Sequence, residues 1–376
     1  MINSREEQAM LSDAARLQRH IQAELSSSDL RIAVQSGMER GIRNSKRSAL
    51  TTCSLFGLAA AAVTAILLFI IPIIHEEPRT ALVPQTVNWG ELQAFKELNT
   101  YDNDAATLES AIRNDYIQLI NKSAGAQGYR ITLNAVTADE NKMTVLYTAT
   151  TGEEQELYGV SSSKMYNIIT QSYLTSSGGM GAHDKVLGQD NYHKFYGKTV
   201  IVLDRSKPFP KELQAEFQIA SVNPGKMDDP KTGTILADMH YSPRLKISFT
   251  LDPKFKKTVT RILYPDKTVI LDGHEVLLSK LELSPLMISA RFTLKNPDEN
   301  SWEARLKINE ASLRTVIKSK TEDGVLEMPM VSGNGTEDGF EKVYASNLLD
   351  NPESLILELT TNTSDEAVKL RINLSK

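Results

Sequence analysis

The chain has 376 residues, with 42 Lys and Arg against 47 Asp and Glu for a formal net charge of −5, and one cysteine, Cys53. That balance offers no basic face suited to direct nucleic-acid binding, and a lone thiol excludes both a disulfide framework and a thiolate zinc site within the chain. The length is ample for more than one packed domain.

Residues 1–47 show two helical stripes. Met10, Ala14, Leu17, Ile21 and Leu25 recur at spacings of four and three, as one apolar helix face requires. Ser26-Ser27-Ser28-Asp29 then supplies N-cap chemistry for a second helix. Its Leu30, Val34, Met38 and Ile42 repeat every four residues, while Gly37 and Gly41 each weaken it by ~1 kcal/mol relative to Ala. Two short helices cannot bury both stripes against each other, so this segment is expected to bind a partner through Met10, Leu17, Ile21, Leu30, Val34, Met38 and Ile42. The competing expectation is a juxtamembrane linker lying on the bilayer, with the basic cluster from Arg40 to Arg47 against anionic lipid. His20 has no cysteine or further histidine beside it, so no zinc site is expected there.

From Ala49 to Ile74 no residue is charged. At ~1.5 Å rise per residue, about 20 residues cross a ~30 Å hydrocarbon core, so residues 48–74 are expected to form one transmembrane helix. Arg40, Arg43, Lys46 and Arg47 precede it, whereas His75, Glu76, Glu77 and Arg79 follow it. Lys and Arg stay on the cytoplasmic side, which predicts an N-terminus inside and the remainder outside the cell membrane. A cleaved signal peptide would have a shorter apolar run closer to Met1, and the Cys53 region resembles a lipoprotein box with the apolar run on the wrong side. The charges follow the same division: residues 1–47 hold eight Lys/Arg and six Asp/Glu, net +2, and the residues after the span hold 34 against 41, net −7.

After the span, Pro78 and Pro84 mark a stalk, and apolar spacing predicts helical character from Trp89 to Asn121, broken at Tyr101–Ala105. Residues 75–127 are thus expected to be a stalk and juxtamembrane helical region. From Gly128 the period changes to two: Tyr129, Ile131 and Leu133, then Met143, Val145 and Tyr147, alternate with more polar neighbours. A shift of 145 residues lays GYRITLNAVTADENKMTVLYT, from Gly128, over GHEVLLSKLELSPLMISARFT, from Gly273, without a gap. Such self-similarity predicts two related β-domains in tandem, 128–252 and 253–376, with DPKFKK at Asp252–Lys257 between them. Further strand patterns occur at 199–203, 216–220, 245–251, 302–308, 341–345, 354–361 and 367–374, and Ser161–Lys185 reads as a helical turn and a Gly-rich loop. Many short strands and few long helices predict a mainly β fold, built as antiparallel β-sandwiches.

Catalytic spacing occurs only in fragments. Gly197-Lys198-Thr199 ends like a phosphate-binding loop, but Tyr192 stands where the first glycine belongs. Gly333, Gly335 and Gly339 follow no strand-to-helix pattern and read as a turn. His183, Asp184, Asp190 and His193 could converge on a metal, although a solvated loop accounts for them as well. Asp102 and Asp104 begin like a calcium loop without its glycine and terminal glutamate. No Gly-x-Ser-x-Gly turn is present. No enzyme activity, catalytic residue, cofactor or metal is therefore expected.

MERGIRNSKR (Met38–Arg47), one span, and LESAIRNDYIQLINKSAGAQGYRITLNAVTADENKMTVLYT (Leu108–Thr148) together resemble the membrane-anchored anti-sigma-factor-like proteins of Gram-positive spore-forming bacteria. GHEVLLSKLELSP (Gly273–Pro285) resembles the opening of the immunoglobulin-like domain that often follows in that family. The resemblance implies tandem immunoglobulin-like domains outside the cell and an inner segment that sequesters an extracytoplasmic-function sigma factor. Expected partners are then that sigma factor, the lipid bilayer and an envelope ligand of the ectodomain, with no direct nucleic acid. The rival expectation is a membrane-tethered surface-binding or adhesion protein.

Overall fold

The computed structural model describes residues 87–376, except 185–186, 188–191, 229–238, 272, 296–304, 306–315, 322–323, 361–366 and 375–376. All of them belong to the unit Arg79–Lys376. The expected cytoplasmic segment and the expected membrane span at 48–74 lie outside the described residues, and no described helix is long and apolar enough to cross a membrane.

After a 3-10 turn at Gly90–Leu92 come two short helices, α1 (Ala94–Asn99) and α2 (Ala105–Arg113), and then the strands of four sheets. The first sheet runs β1 (Gln118–Ala126), β2 (Tyr129–Ala138), β3 (Lys142–Thr150), β7 (Lys194–Val202) and β6 (Thr175–His183), in that spatial order. The second runs β10 (Leu245–Thr250), β8 (Glu212–Val222), β4 (Glu156–Asn167) and β5 (Ser172–Tyr173), with β9 (His240–Tyr241) beside β8. Ile131, Leu133 and Tyr147 of the first sheet share one core with Leu213, Phe217 and Ile247 of the second. The period of two in the sequence thus becomes the inner faces of a sandwich. A 3-10 turn at Pro253–Lys256 adds Phe255 to that core.

The third sheet runs β11 (Arg261–Leu263), β13 (His274–Ser284), β14 (Met287–Leu294), β18 (Gly339–Tyr344) and β17 (Met330–Gly335), with β12 (Lys267–Leu271) also on β13. The fourth runs β16 (Gly324–Met328), β15 (Val316–Thr321), β19 (Ser354–Leu359) and β20 (Val368–Asn373). Leu278, Phe292 and Phe340 meet Ile317, Leu357 and Leu370 in a second core.

The two sandwiches repeat one topology. β2 and β13 open at Tyr129 and His274, 145 residues apart, each behind a left-handed glycine, Gly128 at φ 81 and Gly273 at φ 85. Both hairpins carry a bulge at the same place, Asn134 between Leu133 and Ala135, and Ser279 between Leu278 and Lys280. Even the bulge's hydrogen bond recurs: Thr148 Oγ1 donates to Asn134 Oδ1 at 2.9 Å, and Ser279 Oγ pairs with Thr293 Oγ1 at 2.9 Å. Since a bulge locally fixes twist and register, its recurrence marks a repeated unit rather than a shared hydrophobic pattern.

Two sequence expectations fail. Gln118–Ala126, placed within the helical region, is β1. Helix α2 ends at Arg113, Asp115 adopts φ 52, and the following residues pair with β2, so ladder hydrogen bonds override a helical spacing that only Tyr116 and Ile120 continued. Ser161–Lys185, expected as a turn and loop, holds the end of β4, β5 and β6. Its glycines serve close packing. A Cβ on Gly181 would stand 2.1 Å from the Phe195 ring and 2.8 Å from the Tyr196 carbonyl oxygen. Of the strand expected at 302–308, all but Arg305 lies outside the described residues.

Candidate functional site

The expected contact residues Met10, Leu17, Ile21, Leu30, Val34, Met38 and Ile42 lie outside the described residues. Within them, the candidate site is the seam where α1 and α2 lie on the first sandwich and α2 also meets the second. The helices lie on the outer face of the first sheet. Trp89, Leu92, Phe95, Leu98 and Leu108 pack there on Ala135, Leu146, Ala182 and Tyr196, and Phe95 meets the Tyr196 ring edge-on at 5.4 Å. Each such large apolar side chain contributes roughly 1.5–3 kcal/mol on burial.

Two rejected motif fragments come together at this seam. Asp102 and Asp104, between the helices, face Lys142 of β3 and Lys198 of β7. Asp104 Oδ2 accepts from Lys142 Nζ at 2.7 Å and lies 3.7 Å from Lys198 Nζ, which is itself bonded to Asp102. Thr107 Oγ1 donates to Asp104 Oδ1 at 2.6 Å. Burial alone would raise the Asp104 pKa, but the charges of Lys142 and Lys198 and the hydrogen bonds from Lys142 and Thr107 hold it below the ordinary value. Lys198 is therefore a strand residue paired with helix-loop carboxylates and no phosphate ligand. A buried lattice of this kind contributes little net stability against an apolar equivalent, yet losing one member strands a charge. It fixes where the helices sit.

Helix α2 also reaches the second sandwich. Ser346 N donates to Thr107 Oγ1 at 2.8 Å, and Arg113 and Asn114 each donate to Asp350 at 2.7 Å. The homologous hairpins also touch. Asp139, fully buried, accepts from Asn141 N at 2.8 Å and Lys142 N at 2.9 Å in its own turn, and from Leu286 N at 2.9 Å in the β13–β14 turn. Beside it Glu140 accepts from Thr260 N at 2.8 Å, and Arg205 donates twice to Glu282, at 2.9 and 2.7 Å. Neither sandwich can reorient without breaking bonds to the other and to α2. A capping aspartate facing a distant turn had no sequence signal beyond the Asp139-Glu140-Asn141 turn itself.

The other fragments have structural roles. His183 Nε2 bonds the Leu157 carbonyl at 2.8 Å, its ring lies between Tyr192 and Phe195, and burial lowers its pKa. His193 Nδ1 bonds the Gln155 carbonyl at 2.9 Å, and Asp190 lies outside the described residues. Among the described residues, no three His, Cys, Asp or Glu gather as for a metal. Gly333 and Gly335 end β17 and Gly339 opens β18.

The fold defines a class: a β-rich unit of two antiparallel sandwiches with a helical cover on the first. The family described as "Domain of unknown function (DUF4179)" matches residues 52–151, a stretch from within the expected span to the end of β3. A solved structure, that of a conserved domain protein from Bacillus anthracis, is similar at 13% identity and a TM-score of 0.44, over 70% of this chain and 93% of that one. No curated protein matches the chain.

Proposed function

We propose that this chain is a single-pass membrane regulator of the anti-sigma-factor type. Its inner segment, through Leu30, Val34, Met38 and Ile42 with Met10, Leu17 and Ile21, sequesters an extracytoplasmic-function sigma factor. Its two sandwiches are immunoglobulin-like domains outside the membrane. The observation that carries this reading is the seam: the helices that follow the expected span and stalk are tied by the Asp102–Asp104–Lys142–Lys198 lattice to one sandwich and by Thr107, Arg113 and Asn114 to the other. An ectodomain that only adhered would need no such coupling to the membrane-proximal chain. The match over residues 52–151 takes in most of the expected span, both helices and the first hairpin.

The test is capture of the tagged full-length protein from its host in mild detergent, compared with a variant carrying Leu30→Asp, Val34→Asp and Met38→Asp. A sigma factor enriched by the parent and lost with the variant is the expected result; no sigma factor in either, at equal expression, refutes it. The second reading, a surface-binding protein, is favoured by one observation, the tyrosine-bearing outer face of the second sheet.

A further inference from the structure

Of the four outer sheet faces, one is built differently. On the third and fourth sheets, opposite charges pair across neighbouring strands and loops, as in Arg291–Asp338 and Lys318–Glu358, which suits a solvated surface. The outer face of the second sheet instead carries an aromatic platform. Leu213, Ala215, Phe217 and Met165 point into the core, so Lys164, Tyr166, Gln214, Glu216 and Lys246 take the opposite side. Lys164 and Lys246 stand directly across from Glu216 on the two neighbouring strands.

Tyr173 lies across this face. It pairs with Tyr166 at the edge of the sheet, yet its hydroxyl donates to Glu216 Oε2, two strands away, at 3.0 Å. Strands are spaced by ~4.8 Å, so a side chain bonded at that reach runs along the sheet instead of standing off it. Tyr166 supports the ring edge-on at 5.1 Å, the Lys164 ammonium lies 5.6 Å from its centroid, and the residue remains 54% exposed. The ring is therefore half exposed beside the Lys164 ammonium and held in place at the tip. The anchor stays charged. Burial would raise the Glu216 pKa, but hydrogen bonds from Lys246, Tyr173 and Gln214 hold it below the ordinary value.

Charge gives the face its sign. Lys246 and Arg244 approach Glu216 at 3.0 and 3.9 Å from half-exposed positions, and Lys164 has no ion pair among the described residues. Three cations thus surround one carboxylate, on a part of the chain that is acidic in sum. Ser172, Tyr173 and Thr175 continue this face into a pocket of about 260 Å³ lined also by Arg205, Lys207 and Lys256 and by Glu140 and Asp204. A fixed aromatic ring beside exposed cations suits a ligand with both apolar faces and anionic groups.

We propose that this face binds a phosphate-bearing glycan of the cell envelope, its sugar C–H faces stacked on Tyr173 and its phosphates paired with Lys164, Lys246 and Arg244. The proposal rests on the reading above only in placing this face outside the cell. A nucleic acid would require a longer basic track than three cations on an acidic unit. An acidic peptide would use the cations and leave the ring idle.

The test is binding of a fluorescent sugar-phosphate teichoic acid, poly(N-acetylglucosamine 1-phosphate), to the full-length protein in mild detergent, with neutral dextran and poly-glutamate as the other probes. The teichoic acid should bind at least about tenfold more tightly than either, and Tyr173→Ala or Lys164→Glu should each weaken it by about tenfold. Tyr173→Phe keeps the ring and loses the tether, so it should fall between parent and alanine variant. Unchanged circular dichroism and melting of Lys164→Glu exclude misfolding as the cause. Teichoic-acid binding that ignores Tyr173→Ala, poly-glutamate bound equally well, or no teichoic-acid binding by the parent would each overturn the proposal. Sigma-factor capture is scored separately: its loss with intact glycan binding sinks the regulatory reading alone.

Discussion

Lys342 sits on the core side of β18 between Phe340 and Tyr344, all three with no exposed surface, opposite Ala290 on β14. Its ammonium is 5.5 Å from the Phe340 ring centroid, and burial lowers its pKa from 10.5 to about 8. Between those two values the unfolded chain holds a proton that the folded chain has released, so stability rises with pH in that window. Integrating the two titrations from pH 7 to 9.5 gives a gain of about 2 kcal/mol, or roughly 3 °C in melting temperature for a unit of this size. The window stops at 9.5 because burial also raises Tyr147, and raises Tyr116 to about 12. A raised tyrosine works in the opposite direction above its ordinary value of 10. The assay is thermal melting of residues 79–376 at constant ionic strength across this range, for the parent and Lys342→Met. The parent should climb with pH, and the methionine variant should be at least as stable at pH 7 and nearly flat. Parallel curves for the two proteins would refute the argument that Lys342 is the titrating group.

Asp104→Ala leaves Lys142 buried without its carboxylate and should cost about 3–5 kcal/mol in urea unfolding. Because the folded Asp104 pKa lies below the ordinary value, its contribution is present above about pH 4 and is lost as pH falls through the folded value; the variant's acid unfolding curve should lack that part. Asp139→Ala orphans three amide donors at about 1–3 kcal/mol each, and hydrogen exchange should show lost protection at the Leu286 amide first. Gly181→Ala drives a methyl into Phe195 and the Tyr196 carbonyl, for a loss of about 1–3 kcal/mol by thermal melting; an unchanged melt would mean that β6 can move away from β7.

The β-rich class was legible because alternation at Tyr129–Tyr147 and Leu245–Leu251 follows directly from strands with one buried face. The break at Tyr101–Ala105 was legible too, falling between α1 and α2. β1 was not, since a twisted edge strand with exposed positions such as Lys122 has no strict period. β6 was not, because Ser-Ser-Gly-Gly-Met-Gly reads as loop until Lys198 against Gly179 and Phe195 against Gly181 show why those two positions need glycine. The seam escaped for a different reason. Asp104 and Lys198 are 94 positions apart, and each alone looks like a damaged motif for a ligand; only the pairing of β3 with β7 under α2 makes them partners.

The repeat itself shows which copy carries the extra role. In the first hairpin Ala135 pairs with Leu146 on the outer face, and both are buried beneath the helices. The equivalent pair 145 residues later is Lys280 with Arg291, which bond Glu282 and Asp338. One backbone, bulge included, thus has an apolar outer pair where helices cover it and a charged outer pair where they do not. A covering that arose only from loose helix packing would leave the sheet beneath it polar, because packing of that kind would not require the face to surrender its solvation. Apolar residues at this pair, flanked by the buried Lys142 and Lys198, make the first sandwich the copy whose outer face α1 and α2 cover.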